Sequence, residues 1–175
     1  MRRLLITTLL AIALCSSVAH AERPRPGDVP PDVLGVDDDG APLTVSQYRG
    51  KILIVTFWAS WCGPCRRELP MLAHVQKTVG RDHIEVVAIN LDEPRADYRA
   101  VVRQNRRAFP MTYVHDKGAV AEAYGVTTVP NMFIIGTDGI VEHTHVGYGE
   151  EMLPEFMGEI LDLLPPEVLA RPAGG

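Results

Sequence analysis

The sequence is poor in cysteine, with three in 175 residues. Cys15 lies in an apolar N-terminal stretch, so Cys62 and Cys65 are the only two in the rest of the chain. Small exported domains commonly use several disulfides for stability, which a single pair cannot supply. A bridge between residues this close is worth about 2 kcal/mol, against about 3 kcal/mol for a 15-residue loop. The pair is therefore not placed as a structural cross-link, and either binds a metal or exchanges electrons.

Residues for several other kinds of site are also missing. The chain is acidic, with a formal charge of −5 and no long basic run, which argues against nucleic acid as a partner. The short basic stretch 103–107 is interpreted as a solvated helix end. A closed structural zinc site needs four ligands, and no histidine pair has matching spacing near the cysteines. The turn at 37–40 lacks the other ligands of an EF-hand. We expect no metal and no organic cofactor.

The N-terminus has the pattern of a secretory signal peptide over residues 1–21. Arg2 and Arg3 precede an apolar stretch, and Ala19 and Ala21 form an A-x-A cleavage site. Two alternatives stay open: an uncleaved membrane anchor, or a lipid on Cys15, although Leu14 before it is larger than usual. Cleavage would remove two of the 17 basic residues and no acidic one, which leaves a formal charge of −7. Residues 22–31 are rich in proline and are expected to form an extended tether.

Residues 32–164 are expected to form one α/β domain. Residues 52–59 (ILIVTFWA) and 84–90 (IEVVAIN) have the continuous apolar pattern of strands buried on both faces. Strands then alternate with helices and end in a hairpin around a TDG turn, and a further hairpin is predicted at 32–45. This order predicts a central mixed sheet flanked by helices, with an N-terminal β-hairpin and an inserted helix. Residues 165–175 are expected to be a flexible tail.

The position of Cys62 and Cys65 favours electron exchange. The pair follows a buried strand, where a helix is predicted over about 62–79. A helix N-terminus stabilises a thiolate and lowers its pKa, and the thiolate is the species that attacks disulfides. We expect Cys62 to be the exposed nucleophile and Cys65, one turn later, the less exposed resolving thiol. Gly63 would leave the sulfur of Cys62 uncrowded, and Pro64 suits the first helical turn.

Together the motifs resemble a known family. The segments FWASWCGPCRRELP at 57–70 and AYGVTTVPNMFIIGTDGIV at 123–141, with the leader, resemble exported TlpA/ResA/DsbE-like proteins of the thioredoxin superfamily. The resemblance covers about 32–164. It implies a thioredoxin-like fold, a redox-active Cys62–Cys65 disulfide and a cis peptide bond at Val129–Pro130. In the family this loop faces the cysteines, and the residue before the proline pairs with the client like an added strand.

The resemblance also assigns roles to two side chains beside the cysteines. Trp61 matches a tryptophan that walls the active site, with ordinary core packing as the alternative. Thr56 replaces the buried aspartate of cytoplasmic thioredoxins, whereas Glu68 matches a glutamate of the ResA-like branch. Glu68 lies one turn after Cys65, and a partly buried carboxylate there could accept the Cys65 proton. The alternative for Glu68 is a solvated helix residue.

Two histidines, His143 and His145, alternate along a predicted strand and so share one face of it. They could contribute to a copper site, but the simpler interpretation is that they are exposed residues of an edge strand. Tyr113, Phe133 and Tyr148 are interpreted as core or rim residues.

The resemblance implies a periplasmic thiol–disulfide oxidoreductase that reduces disulfides of client proteins in cytochrome c or copper-site maturation. An oxidising compartment cannot recharge a reductant, so a membrane electron donor is also implied. Association with the membrane itself is expected only if the leader is retained or Cys15 is lipidated. Two alternatives stay open: a copper metallochaperone that uses both cysteines and a histidine, and a thioredoxin-fold peroxidase. The P-x-x-x-T-x-x motif typical of the peroxidase is absent.

The leader gives a direct prediction. The exported protein should begin at Glu22, because cleavage at an A-x-A site follows its second alanine, Ala21. Intact-mass spectrometry of protein from the extracytoplasmic fraction should give the mass of residues 22–175. A mass that includes Cys15 with a lipid attached would contradict the prediction.

Overall fold

The computed structural model describes residues 22–170; the predicted signal peptide and Cys15 lie outside them. The strands are β1 (Val33–Val36), β2 (Pro42–Thr44), β3 (Ile52–Trp58), β4 (Ile84–Leu91), β5 (Thr112–Asp116), β6 (Asn131–Ile135) and β7 (Val141–Val146). The helices are α1 (Cys65–Val79), α2 (Arg95–Asn105), α3 (Ala119–Ala123), α4 (Leu153–Leu163) and α5 (Pro166–Leu169). Single 3-10 turns occupy Val45–Tyr48 and Glu150–Met152.

Five strands form a mixed sheet in the order β5-β4-β3-β6-β7. The central strand β3 runs parallel to β4 and antiparallel to β6. All seven residues of β3 are buried, which explains its unbroken run of apolar and β-branched side chains. β1 and β2 pair as a separate antiparallel hairpin. The predicted architecture, a mixed sheet flanked by helices with an N-terminal hairpin, is confirmed.

The two faces of the sheet carry separate apolar cores. Because side chains alternate along a strand, Ile54 and Trp58 of β3 pack on one side with residues of α1, α2 and α4. Val55 and Phe57 pack on the other side against the hairpin and α3. Both cysteines belong to the first of these cores. The chemistry of the site therefore takes place at the end of β3, on the face that α1 and α4 cover.

The segment 22–31 differs from the extended tether that its prolines predicted. The Gly27 N–H donates to the carbonyl of Val141, and the Val141 N–H donates to the carbonyl of Asp28 (2.8 and 3.0 Å). The segment thus pairs with the exposed edge of β7, which otherwise has unpaired backbone groups. Further upstream, the Arg23 guanidinium donates to the side chain of Asn131 (3.0 Å) and lies 4.8 Å from the ring centroid of Phe133.

The C-terminal segment also differs in part from expectation. α5 covers Pro166–Leu169 within the region expected to be flexible, and Val168 packs against the apolar core that contains the cysteines. Proline at the start of a helix has its φ already set and lacks only an N–H that would be unpaired there.

None of the helices within residues 22–170 combines the length and the apolar character that a membrane span requires.

The docked N-terminal segment gives a stability prediction. Arg23→Met should lower the free energy of unfolding by about 1.5–3 kcal/mol, the usual contribution of a hydrogen bond to a charged group. The guanidinium donates to Asn131 and Thr144, and both acceptors would lose a donor. Arg25→Met is the matched control, because Arg25 is exposed and its side chain pairs with Glu22. Equal urea midpoints for both variants and the parent would contradict the prediction.

Candidate active site

Cys62 and Cys65 lie just beyond the end of β3 and form a disulfide, with their sulfurs 2.00 Å apart. Cys62 is 3% exposed and Cys65 is fully buried. Cys65 is the less exposed of the two, as expected. The expectation that Cys62 itself is exposed is wrong for this oxidised form. The reason is packing: once bonded to Cys65, the Cys62 side chain lies in the apolar core with Trp58 and Ala59.

The helix begins three residues later than predicted, at Cys65. The backbone N–H of Cys65 donates to Sγ of Cys62 at 3.2 Å, so this sulfur occupies the place of a helix-capping acceptor. Pro64 lies at the N-cap in helical conformation and has no N–H to satisfy. A thiolate on Cys62 would thus be stabilised by a direct hydrogen bond and by the positive end of α1.

Glu68 lies one turn after Cys65 and is fully buried between α1 and the sheet. The Thr56 hydroxyl donates to its Oε2 at 2.7 Å. Its other oxygen, Oε1, has no hydrogen-bond partner within residues 22–170. Burial raises the pKa of Glu68 from 4.5 to about 7, and the Thr56 hydrogen bond acts in the opposite direction. The alternative of a solvated helix glutamate is therefore wrong, and the carboxyl group can exchange a proton near neutral pH.

Other residues from the motif lie around the disulfide. Trp61 is 69% exposed, so the alternative of ordinary core packing is wrong. Gly63 has open space where a side chain would begin. The Val129–Pro130 bond is cis, as the resemblance predicted. Val129 is half-buried against both apolar cores, and Pro130 is buried.

Sequence reasoning missed Glu93, which holds the loop before Cys62. Glu93 follows β4, which runs parallel to β3, so the carboxyl ends of both strands meet at this edge of the sheet. The Ser60 N–H donates to Glu93 at 2.7 Å, and the Ser60 hydroxyl and the Asn90 amide also donate to its carboxylate. His115 contacts the Glu93 carbonyl through Nε2 at 2.8 Å. The available signal was an acidic residue two positions after a buried parallel strand.

His143 and His145 are not simple surface residues of β7, which corrects the sequence interpretation. Nε2 of His145 lies 2.7 Å from Oε2 of Glu159, and Nδ1 of His143 lies 3.1 Å from Oε1 of the same carboxylate. The alternation of the strand did place both rings on one face, but α4 covers that face and supplies Glu159. Between residues 22 and 170, no set of three or more His, Cys, Asp or Glu side chains is arranged to hold a metal ion.

Comparisons with known proteins agree with this geometry. Residues 26–144 match the model of the AhpC/TSA family. The chain is 30% identical to the thiol–disulfide oxidoreductase ResA of Halalkalibacterium halodurans over 94% of both chains, and 28% identical to that of Bacillus subtilis. The chain belongs to the AhpC/TSA family, in its ResA-like branch.

Solved structures support the same assignment. A Chlorobium tepidum protein assigned as the thiol:disulfide interchange protein DsbE superimposes with a TM-score of 0.72 and 31% identity, covering 81% of this chain and 99% of its own. StoA of Bacillus subtilis superimposes with a TM-score of 0.58 and 25% identity, and the match covers 75% of this chain and 99% of StoA. The ResA-like chain is thus a thiol–disulfide oxidoreductase with a thioredoxin fold.

The raised pKa of Glu68 predicts how stability depends on pH. Below pH 4.5 the carboxyl group is protonated in the folded and unfolded states, so it carries no penalty. Between 4.5 and about 7 it ionises only when unfolded, and the folded state loses about 3 kcal/mol at about 1.4 kcal/mol per pKa unit. Glutamine cannot ionise. The stability of Glu68→Gln relative to the parent should therefore rise by about 3 kcal/mol from pH 4.5 to pH 8.

Urea unfolding of the oxidised protein at the two pH values measures this difference, whatever constant offset the substitution brings. Glu122→Gln is the control, because Glu122 is exposed on α3. A Glu68→Gln variant whose stability runs parallel to that of the parent across this range would show that the carboxyl group is not a titrating buried acid.

Proposed function

We propose that Cys62 is the nucleophile of this oxidoreductase, that Cys65 is the resolving thiol, and that the pair reduces disulfides of client proteins. One observation carries the assignment: the first N–H of α1 donates to Sγ of Cys62 at 3.2 Å. That donor would stabilise a thiolate on Cys62 but not on Cys65. Complete burial of Cys65 supports a role within the complex, after a client has already bonded to Cys62.

The reaction then has two exchange steps. The Cys62 thiolate attacks a client disulfide, forms a mixed disulfide and releases one client thiolate. Cys65, once deprotonated, attacks Sγ of Cys62 and releases the second client thiolate. Two electrons pass from the protein dithiol to the client, and each client thiolate takes up a proton. The protein is left with the Cys62–Cys65 disulfide.

Glu68 is proposed to accept the proton of Cys65 in the second step. It lies one helical turn from Cys65, and its pKa of about 7 suits a group that takes up and releases protons near neutral pH. Thr56 cannot serve, because a hydroxyl does not ionise near pH 7. Its contribution is instead to orient the carboxyl group through the 2.7 Å hydrogen bond.

Trp61 and Val129 are proposed to form the contact surface for the client. Trp61 is an exposed aromatic side chain directly before Cys62, and isolated large apolar groups at such a site favour protein contacts. Val129 precedes the cis Pro130 and, by the family resemblance, would offer its backbone to an extended client segment. Gly63 and Pro64 complete the loop that presents Cys62.

The direction of electron flow is proposed from the Gly-Pro spacer, which resembles that of reducing members near about −270 mV rather than the oxidant DsbA near about −120 mV. We place the protein in the periplasm, released from its signal peptide, where a membrane electron donor would recharge it. The TlpA/ResA/DsbE-like resemblance supports apocytochrome c or copper-site proteins as clients.

Trapping tests the proposal. Reduced Cys65→Ser protein should form mixed disulfides with clients that stay attached through Cys62, because the second exchange is blocked. Exposure to an extracytoplasmic extract, followed by non-reducing electrophoresis and mass spectrometry, should show adducts that a dithiol reductant removes. Cys62→Ser is the matched control and should trap little.

The reverse pattern, with adducts on Cys65, would overturn the assignment of the nucleophile. Absence of adducts from both variants, together with peroxide consumption or transfer of Cu(I) by the parent, would overturn the reductase function in favour of a peroxidase or a metallochaperone.

A further inference from the structure

We propose that His145, Glu159 and His143 form a relay that carries protons between the buried carboxyl group of Glu68 and the protein surface. The inference rests on the proposed role of Glu68 as a proton acceptor, and adds the route by which that proton leaves. The need for a route follows from burial: Glu68 has no exposed surface. A proton taken from Cys65 cannot pass from Glu68 directly to bulk water.

A small cavity connects Glu68 to His145. The residues that line it come from α1, β6, β7 and the segment before α4, and are Glu68, Met71, Met132, His145, Gly147, Tyr148, Met152, Leu153 and Phe156. Most of these residues are apolar, and the titratable ones among them are Glu68, His145 and Tyr148. The cavity measures about 10 Å³, close to the space that one water molecule needs.

The strand register explains why these groups meet. Thr56 of β3 is paired with Met132 of β6, and Met132 is paired with His145 of β7. The three side chains therefore form a row across the face of the sheet that α1 and α4 cover. Glu68 lies above the Thr56 end of the row through its 2.7 Å hydrogen bond. Its unpartnered Oε1 is the polar atom for which a water in the cavity would supply a partner.

Beyond His145 the contacts are direct. His145 is 9% exposed, and its Nε2 lies 2.7 Å from Oε2 of Glu159. Oε1 of Glu159 lies 3.1 Å from Nδ1 of His143, whose side chain is 36% exposed. A proton that reaches one ring nitrogen of His145 can leave through Nε2 to the carboxylate and pass to His143 and solvent. The carboxyl group of Glu159 turns to pass the proton from Oε2 to Oε1, and the proton released by Glu68 is thus returned to water. His145 is left as its other neutral tautomer and returns to the first by exchanging its ring proton before the next transfer.

The charges around Glu68 are consistent with this direction. On α1 itself the neighbouring titratable groups are Cys65 and Arg67. β3 and β6 contribute Thr56 and Met132, neither of which titrates. β7 contributes His145, α4 contributes Glu159, and the segment between them contributes Tyr148 with Glu150 nearby. Among these groups, His145 is the one base lining the cavity that contacts a further proton acceptor, Glu159, which in turn contacts the partly exposed His143.

The relay can be tested on the oxidised protein, where no thiol chemistry contributes. After a rapid pH jump across 7, the carboxylic C=O infrared band of Glu68, assigned by its loss in Glu68→Gln, reports protonation of this group. Glu159→Gln and His145→Gln should slow the relaxation of this band by about 10²-fold, the lower end of what positioned proton-transfer groups contribute. His143→Gln should slow it less, because the exposed end can be replaced by solvent.

Glu155→Gln and His74→Gln are matched controls, since both residues are exposed and Glu155 lies on α4 with Glu159. Relaxation at the parent rate in Glu159→Gln and His145→Gln would overturn the relay, and a shifted end point without a slower rate would do the same. If His145→Gln does not fold, Glu159→Gln, which keeps the shape of the side chain, decides. Failure here leaves the trapping result intact, so the relay and the proposed function fail separately.

Discussion

The enclosure of an ionisable carboxyl group, that of Glu68, between α1 and the sheet is the constraint on which the rest of the site depends. A carboxylate without a cationic partner is unfavourable in an apolar core, so the group stays protonated to higher pH and needs polar neighbours. Thr56 supplies one hydrogen bond from the central strand. The second oxygen, Oε1, has no hydrogen-bond partner within residues 22–170, and Glu68 and His145 line the same small cavity. The same burial that lowers the stability of the folded state as the pH rises from 4.5 to about 7 gives the site a group that can exchange protons near neutral pH.

Both faces of the sheet carry an apolar core, but only one of them carries the redox site. The face covered by the hairpin and α3 is sealed by aromatic rings, with Phe57, Tyr124 and Phe133 in mutual contact. Arg23 anchors the N-terminal segment above the same ring of Phe133. The opposite face carries both cysteines and Glu68. The buried acid and the small cavity thus lie on one face only, within an apolar core that also packs α1 and α4 onto the sheet.

The sequence predicted the features that depend on local pattern and missed those that depend on contacts distant along the chain. Continuous apolar runs identified β3 and β4, and the C-x-x-C motif identified the redox pair. Helix α1 begins at Cys65, three residues later than predicted, and the Cys65 N–H donates to the Cys62 sulfur, a contact that apolar spacing does not show. Arg23 docks on Asn131, 108 residues away, so proline content alone predicted a tether. Alternation placed both histidines on one face, but periodicity cannot show that α4 covers it.

In the proposed mechanism, the two sulfurs differ because opposite electrostatic influences act on them. Sγ of Cys62 accepts an N–H at the positive end of α1, which favours its thiolate. Cys65 lies one turn from a carboxyl group in the same low-dielectric core, and an ionised Glu68 would disfavour a thiolate there by like-charge repulsion. Deprotonation of Cys65 and protonation of Glu68 are therefore coupled, so the buried pair holds one negative charge before and after the transfer. Moving a proton within the core avoids burying a second charge. Two buried negative charges would cost more free energy than one, because each is removed from water and they repel each other.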